Sequence, residues 1–199
     1  MVWLYGDAGI HLDPAGGLCL PVEERGARLE PLTNAAGPPK VTDKPVEEHP
    51  IVQNLRAWDG GAVAEVSQFR GELTIVLPPE RLRRAAEYLQ AERGLQFDLL
   101  SDISAVDRFP IEPRFEVNYH LVSIPLRQTL RLRVWILGQD PVLATLIPVW
   151  PTANWHEREI YDLFGIRFEG HPDLHRILMP DDWEGHPLRK DYPVEGFRT

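Results

Sequence analysis

The residues whose types and spacing could do chemistry crowd into the chain beyond Pro151. Glu159 and Asp162 lie three apart in the run Glu157-Arg-Glu-Ile-Tyr-Asp-Leu-Phe-Gly165, so on a helix they share a side. Two neighbouring carboxylates support general acid–base catalysis when burial raises one pKa. No nucleophile or metal set accompanies them, and Arg158 stands four residues from Asp162, so a solvated or ion-paired face is the plainer reading. His171, His175 and His186 form a second candidate, a histidine-only zinc site for a hydrolase. Zinc needs three or four convergent ligands, and nothing in the sequence makes these three converge. The run Glu169-Gly-His-Pro172 recurs as Glu184-Gly-His-Pro187. Each proline pushes the histidine before it toward extended backbone, giving stiff loops that display His171, His186, Arg189 and Lys190 for docking on a neighbour.

A helix must position the carboxylates. Asn154 reads as its N-cap, Glu157 as the capping-box partner, and Gly165 as the C′ glycine. Ile160, Leu163 and Phe164 make its apolar face. Upstream, Val46 to Trp58 allows a short amphipathic helix interrupted in part by Pro50. Ala62–Phe69 and Glu72–Leu77 read as antiparallel strands around Arg70-Gly71, and a helix follows from Pro79 to Gly94. Strands are expected at Gln96–Val106, Arg114–Ile124 and Thr129–Leu137, the last two with clean alternation and a short link at Pro125–Gln128. His120 falls on the polar side of its strand and is expected in solvent. The order predicts an α+β fold: a two-layer sandwich with an α-β2-α-β3 core, a C-terminal helix and extended Pro-rich loops. Three regions follow: an extended arm over 1–45, a core over 46–150, and a helix-and-docking segment over 151–199.

Composition narrows the function. A formal net charge of -9 disfavours nucleic acid as a partner. The single cysteine, Cys19, excludes an internal disulfide, a thiolate zinc site and an iron–sulfur cluster held by this chain alone. The first residues lack the basic and apolar regions of a secretory leader. The apolar stretch 130–150 carries Arg131, Arg133, Asp140 and two prolines, which disqualify it as a membrane span.

Three motifs occur in one order: Glu157–Gly165, then His171-Pro-Asp-Leu-His-Arg-Ile-Leu178, then Gly185-His-Pro-Leu-Arg-Lys-Asp-Tyr-Pro193. Together they resemble the signature of the 30-kilodalton subunit family of respiratory complex I, which bacterial naming calls the C subunit. The resemblance runs from about Val46 to about Gly196; residues 1–45 have no evident counterpart, and His175 stands where the family usually has Arg or Lys. It implies a cofactor-free structural subunit of an NADH:quinone oxidoreductase, with FMN and Fe–S clusters carried by partner subunits. It further implies docking on the quinone-site D subunit, near the B and I subunits, on the cytoplasmic face of the membrane. The interface residues it implies are Glu157, Arg158, Glu159, Asp162, Phe164, Gly165, His171, Pro172, Asp173, Arg176, Gly185, His186, Pro187, Arg189, Lys190, Asp191 and Pro193. The homologous subunit of a related machine, such as a membrane-bound hydrogenase, shares these motifs.

Overall fold

The computed structural model describes residues 46–193; the arm expected over 1–45 lies outside them. A single 3-10 turn at Val46–Glu48 leads into α1 (Pro50–Trp58). Pro50 does not interrupt this helix but starts it, at the position where a missing N–H costs nothing, and the His49 ring accepts from the Ile51 N–H at 3.3 Å. Strands β1 (Glu65–Phe69) and β2 (Glu72–Leu77) form the expected hairpin. Arg70 and Gly71 both have positive φ, +51° and +86°, the backbone of the primed turns that match strand twist.

A 3-10 turn at Pro79–Arg81 opens α2 (Leu82–Ala91), whose Leu82, Ala85, Ala86 and Leu89 are buried. Then come β3 (Leu99–Asp107), β4 (Phe115–Ser123) and β5 (Gln128–Ile136). The sheet order is β1-β2-β5-β4-β3, antiparallel throughout except for the parallel pair β2–β5. The mixed α+β architecture agrees with the sequence expectation.

The two sheet faces differ. Leu73, Ile75 and Leu77 on β2, Val117, Tyr119 and Leu121 on β4, and Leu130, Leu132 and Val134 on β5 are all buried in one cluster with α1 and α2. The other face carries a polar ladder: Arg131 and His120 meet Glu72, and Arg133 meets Glu116 at 2.9 Å. His120 is therefore half-buried beside a carboxylate, where the alternation pattern alone placed it in solvent.

Beyond β5 the chain makes two three-residue strands that the sequence did not announce, β6 (Val142–Ala144) and β7 (Arg167–Glu169), paired in parallel. Between them lies α3 (Ala153–Phe164). Ile160 and Phe164, with Ile166 and Phe168 just after, enter the same buried cluster as the sheet. Two long-range hydrogen bonds seat the approach to α3: the Trp150 indole N–H donates to Phe97 O at 3.0 Å, and Gln90 donates to Val149 O at 2.7 Å.

Candidate functional site

Helix α3 begins earlier than its sequence indicates. Thr152 holds the N-cap position without a capping hydrogen bond, and its hydroxyl turns instead to Leu100 O. Asn154 is thus already inside the helix, and the expected Asn154–Glu157 capping box does not form. Glu157 faces inward, fully buried. Its Oε1 accepts from the Leu146 N–H at 2.7 Å, and its Oε2 lies 2.6 Å from the Thr145 hydroxyl. Burial outweighs these two bonds and pushes its pKa up to about 7. The Tyr119 hydroxyl, also fully buried, has no hydrogen-bond partner among the described residues, and burial together with Glu157 raises its pKa.

The two carboxylates of the expected pair sit in different surroundings. Glu159 is exposed and Asp162 is buried. Asp162 Oδ2 accepts from three successive backbone N–H groups, Ile177 at 3.1 Å, Leu178 at 2.8 Å and Met179 at 2.9 Å. Its Oδ1 takes Arg176 at 2.6 Å. Burial alone would raise this carboxyl, but the three N–H groups and the guanidinium prevail and hold it below its ordinary value. Its ion-pair partner is Arg176, not Arg158.

A helix leaves its last four carbonyls without partners inside the helix. In α3 the chain beyond Gly170 supplies them. Arg176 donates to Asp162 O at 3.1 Å and the His186 Nδ1–H to the same oxygen at 2.9 Å. The Leu188 N–H donates to Leu163 O at 3.1 Å, and Arg189 donates to Phe164 O at 2.5 Å. Gly165 closes the helix at φ +71°, as expected of a C′ glycine. A Cβ there would stand 2.5 Å from the His186 ring and 2.7 Å from Arg189, so only glycine admits these two caps. The other guanidinium nitrogen of Arg176 reaches Trp183 O and Gly185 O at 3.0 and 2.9 Å, tying the second His-Pro loop to the helix end.

The remaining members of the predicted set fall around this core. Arg158, nearly buried, bonds the His175 ring and lies over Trp155. Asp173 meets the other side of the His175 ring at 2.9 Å and its own N–H donates to His171 Nδ1 at 3.0 Å. Pro172 and Pro193 are exposed, Pro187 half-buried. The Lys190 N–H donates to Asp107 at 2.8 Å, and Asp191 grips Arg114 at 2.6 Å. His171, His175 and His186 do not converge; each ring serves a different part of the segment.

Asp107 and Arg114 are the residues that sequence reasoning missed. The Arg114 guanidinium, sandwiched near Phe109 and Phe115, bridges buried Asp107 to Asp191, which lies 77 residues beyond Arg114 in sequence. Burial opposes the charge on Asp107, but Arg114 and the N–H groups of Lys190 and Phe109 hold its pKa down to about 2. Nothing in a β3–β4 loop signals a tether to a distant tail; only the charge of Arg114 at a strand start hinted at it.

The chain's residues 75–198 match the family model described as the respiratory-chain NADH dehydrogenase, 30 Kd subunit. The chain belongs to this family. Among relatives, the NADH-quinone oxidoreductase C subunit of Roseiflexus sp. (strain RS-1) is 46% identical over 144 residues, covering 72% of this chain and 83% of that protein. The counterpart from Geotalea uraniireducens (strain Rf4) is 45% identical over 150 residues, covering 75% and 90%. The Salinispora tropica counterpart aligns over 97% of this chain at 39% identity and over 76% of its own length. That alignment reaches into the first 45 residues, which therefore do have a counterpart in the family, contrary to the motif-based expectation. Of solved structures, a trypsin-resistant fragment of Nqo5 matches with TM-score 0.52 at 38% identity, over 62% of this chain and 96% of the fragment. A chain of the membrane-bound sulfane sulfur reductase, an archaeal respiratory membrane complex, matches with TM-score 0.62 at 26% identity, over 72% and 84%.

Proposed function

We propose that the chain is a non-catalytic structural subunit of the peripheral arm of a NADH:quinone oxidoreductase. It takes no part in the redox chemistry itself. FMN and Fe–S clusters are carried by companion subunits, a division supported by a single cysteine where a cluster ordinarily takes about four thiolates. The family reading places the chain peripherally, on the cytoplasmic face of the membrane, held by other subunits; no helix among the described residues is long and apolar enough to cross a membrane.

The observation that carries the reading is the use made of the signature motifs. Among their residues, Arg158, Asp162, Arg176, His186 and Arg189 are used within the chain to fix α3 and the segment 170–193 as one rigid unit. Rigidity is what an electron-transfer assembly asks of a scaffold subunit. The partner assigned to this unit is the quinone-site D subunit, with the B and I subunits nearby. The docking face consists of the predicted residues that stay exposed, Glu159, Pro172, Asp173, Gly185, Lys190, Asp191 and Pro193, with exposed Trp155, Leu178 and Leu188 among them.

The likeness to the sulfane sulfur reductase chain favours one second reading, a subunit of a related respiratory machine with another electron acceptor. Affinity purification of the tagged chain from solubilised membranes separates the two. Co-purifying flavin- and cluster-bearing subunits with NADH:quinone activity are the expected result. Cluster-bearing subunits without NADH oxidation would move the assignment to the second reading, and the chain recovered alone would overturn both.

A further inference from the structure

The outer face of the sheet, opposite the cluster shared with α1 and α2, is not uniform along its strands. Around Arg131 it is a matched acid–base ladder, in which Glu72 meets both Arg131 and His120. A face of that kind suits water. At the other end the register sets Val106 of β3, Glu116 of β4 and Trp135 of β5 side by side. Leu137, two residues past Trp135, continues the same side by strand alternation. Val106 is 45% and Leu137 64% exposed, and Trp135 is half-buried, so this apolar end stands open.

One cation at this end has no match. The Arg133 guanidinium lies 5.8 Å from the Trp135 ring centre and is held by Glu116 at 2.9 Å. The Arg108 guanidinium lies closer over the same ring, at 4.8 Å, is exposed, and meets no carboxylate among the described residues. Its backbone is fixed: the Arg108 N–H donates to Arg114 O and the Ile111 N–H donates to Arg108 O, both at 2.9 Å. Glu112 ties this loop to the chain beyond β5, accepting from the Arg114 N–H at 2.9 Å and the Gly138 N–H at 3.1 Å. A guanidinium stacked on an aromatic face, on a loop already ordered, presents its N–H fork at little further entropic cost. Trp and Arg are also the side chains that most often anchor protein interfaces.

We infer that the patch formed by Val106, Arg108, Trp135 and Leu137 receives a segment of a companion subunit that bears a carboxylate beside an aliphatic side chain. The carboxylate pairs with Arg108, and the aliphatic group covers Trp135 between Val106 and Leu137. Charge complementarity selects this occupant. A second copy of the chain has no free carboxylate to offer from the same patch, since Glu116 is engaged by Arg133. An anionic lipid surface attracts a protein by about 1 kcal/mol per basic residue. One unmatched cation, in a chain of net charge -9, gives such a surface little hold. The inference rests on the reading of the chain as a subunit of a larger complex. It adds a contact outside the three signature motifs, opposite in charge to exposed Glu159 and Asp173.

The test uses the assembled complex in its membrane. A photo-reactive benzoylphenylalanine replaces Leu137 in one strain and Val106 in a second, so that a local folding failure at one position leaves the other. Ile124, exposed where β4 turns toward β5, is the control. After irradiation the cross-linked peptides are mapped by mass spectrometry, alongside NADH:quinone activity. The expected result is capture, at both patch positions and not at Ile124, of one segment of another subunit in which Asp or Glu adjoins an aliphatic residue. Arg108→Glu should cut that capture about tenfold, since like charges then face each other, while Arg108→Lys should keep most of it. Reversing the charge of the captured carboxylate in the Arg108→Glu strain should restore it. An active complex that yields no patch cross-link overturns the inference alone. So does capture of a segment lacking a carboxylate, of lipid, or of a second copy of this chain. Capture unaffected by Arg108→Glu, or lost as fully with Arg108→Lys, overturns it too. Loss of the flavin- and cluster-bearing companions from the unsubstituted preparation overturns the reading of the chain as a subunit as well.

Discussion

Between β2 and β5 the chain is held by Leu73, Ile75, Leu130 and Leu132, side chains that make no directional bond and are almost wholly removed from water. Beyond Phe168, by contrast, no residue through Pro193 is a buried hydrophobic. That stretch is held by a short set of directional bonds: Asp162 gathers three N–H groups and Arg176, the end of α3 is capped by His186 and Arg189, and Arg114 holds Asp191. The apolar region tolerates exchange of one aliphatic residue for another of similar volume. The polar region does not, because removing one partner leaves a buried charge or carbonyl unmatched. Two of the three signature motifs, His171–Leu178 and Gly185–Pro193, fall on the second region, and the third, Glu157–Gly165, is the helix end to which that region is bonded.

The largest expected effect of breaking this contrast is at Asp162. Asp162→Asn puts an amide N–H₂ or a neutral oxygen where Arg176 and three N–H groups now meet a carboxylate, and should cost about 3–5 kcal/mol in chemical denaturation. The same carboxyl has a depressed pKa, so its stabilisation is present above the ordinary Asp value and is lost as pH falls through the lower folded value. Acid unfolding of the parent should therefore begin with this segment, below about pH 4.

Glu157 has the opposite sign. Its pKa is raised from 4.5 to about 7, so the folded chain binds this proton more tightly than the unfolded one. That contribution is complete below the unfolded value and is lost as pH rises through about 7. Glu157→Gln keeps an acceptor for Leu146 and a partner for Thr145 but cannot ionise. It should match the parent near pH 4 and exceed its stability by about 3 kcal/mol at pH 8.5, measured by urea titration at both values. Gly165→Ala should cost about 2 kcal/mol from its left-handed backbone alone and more as His186 and Arg189 are displaced, read as a lowered melting temperature. Asp191→Asn, at a half-exposed carboxylate, should cost about 1 kcal/mol, because Asp107 still satisfies Arg114; a larger loss would mean that the tail depends on this tether more than on the helix caps.

The strands and helices of the apolar region were legible because period-2 and period-3.6 patterns repeat over enough residues, as in Phe115 to Leu121 and Leu130 to Ile136. The one-sided burial of the sheet followed from the same alternation. The strand order, with β2 parallel to β5, was not legible: nothing local records which strand comes to lie beside another. Strands β6 and β7 are too short to show a period. At α3 the Gly165 terminus was read correctly, yet the start was misplaced because Asn154 and Glu157 match a capping box by type, while burial of Glu157 against Thr145 decided otherwise. The motif residues were visible as a set, but their partners were not. Contacts spanning 14 to 77 residues, such as Arg176–Asp162 and Arg114–Asp191, leave no trace in spacing.

Amide hydrogen exchange on the full chain, parent against Asp162→Asn, tests most directly whether that carboxylate organises the C-terminal segment. The N–H groups of Ile177, Leu178 and Met179 all donate to one of its oxygens and have no strand or helix to protect them. They should exchange slowly in the parent and lose that protection in the variant together with Leu188, while Tyr119 and Leu132 in the sheet stay protected. Equal exchange at these three positions in both proteins, or simultaneous loss across the sheet, would contradict it.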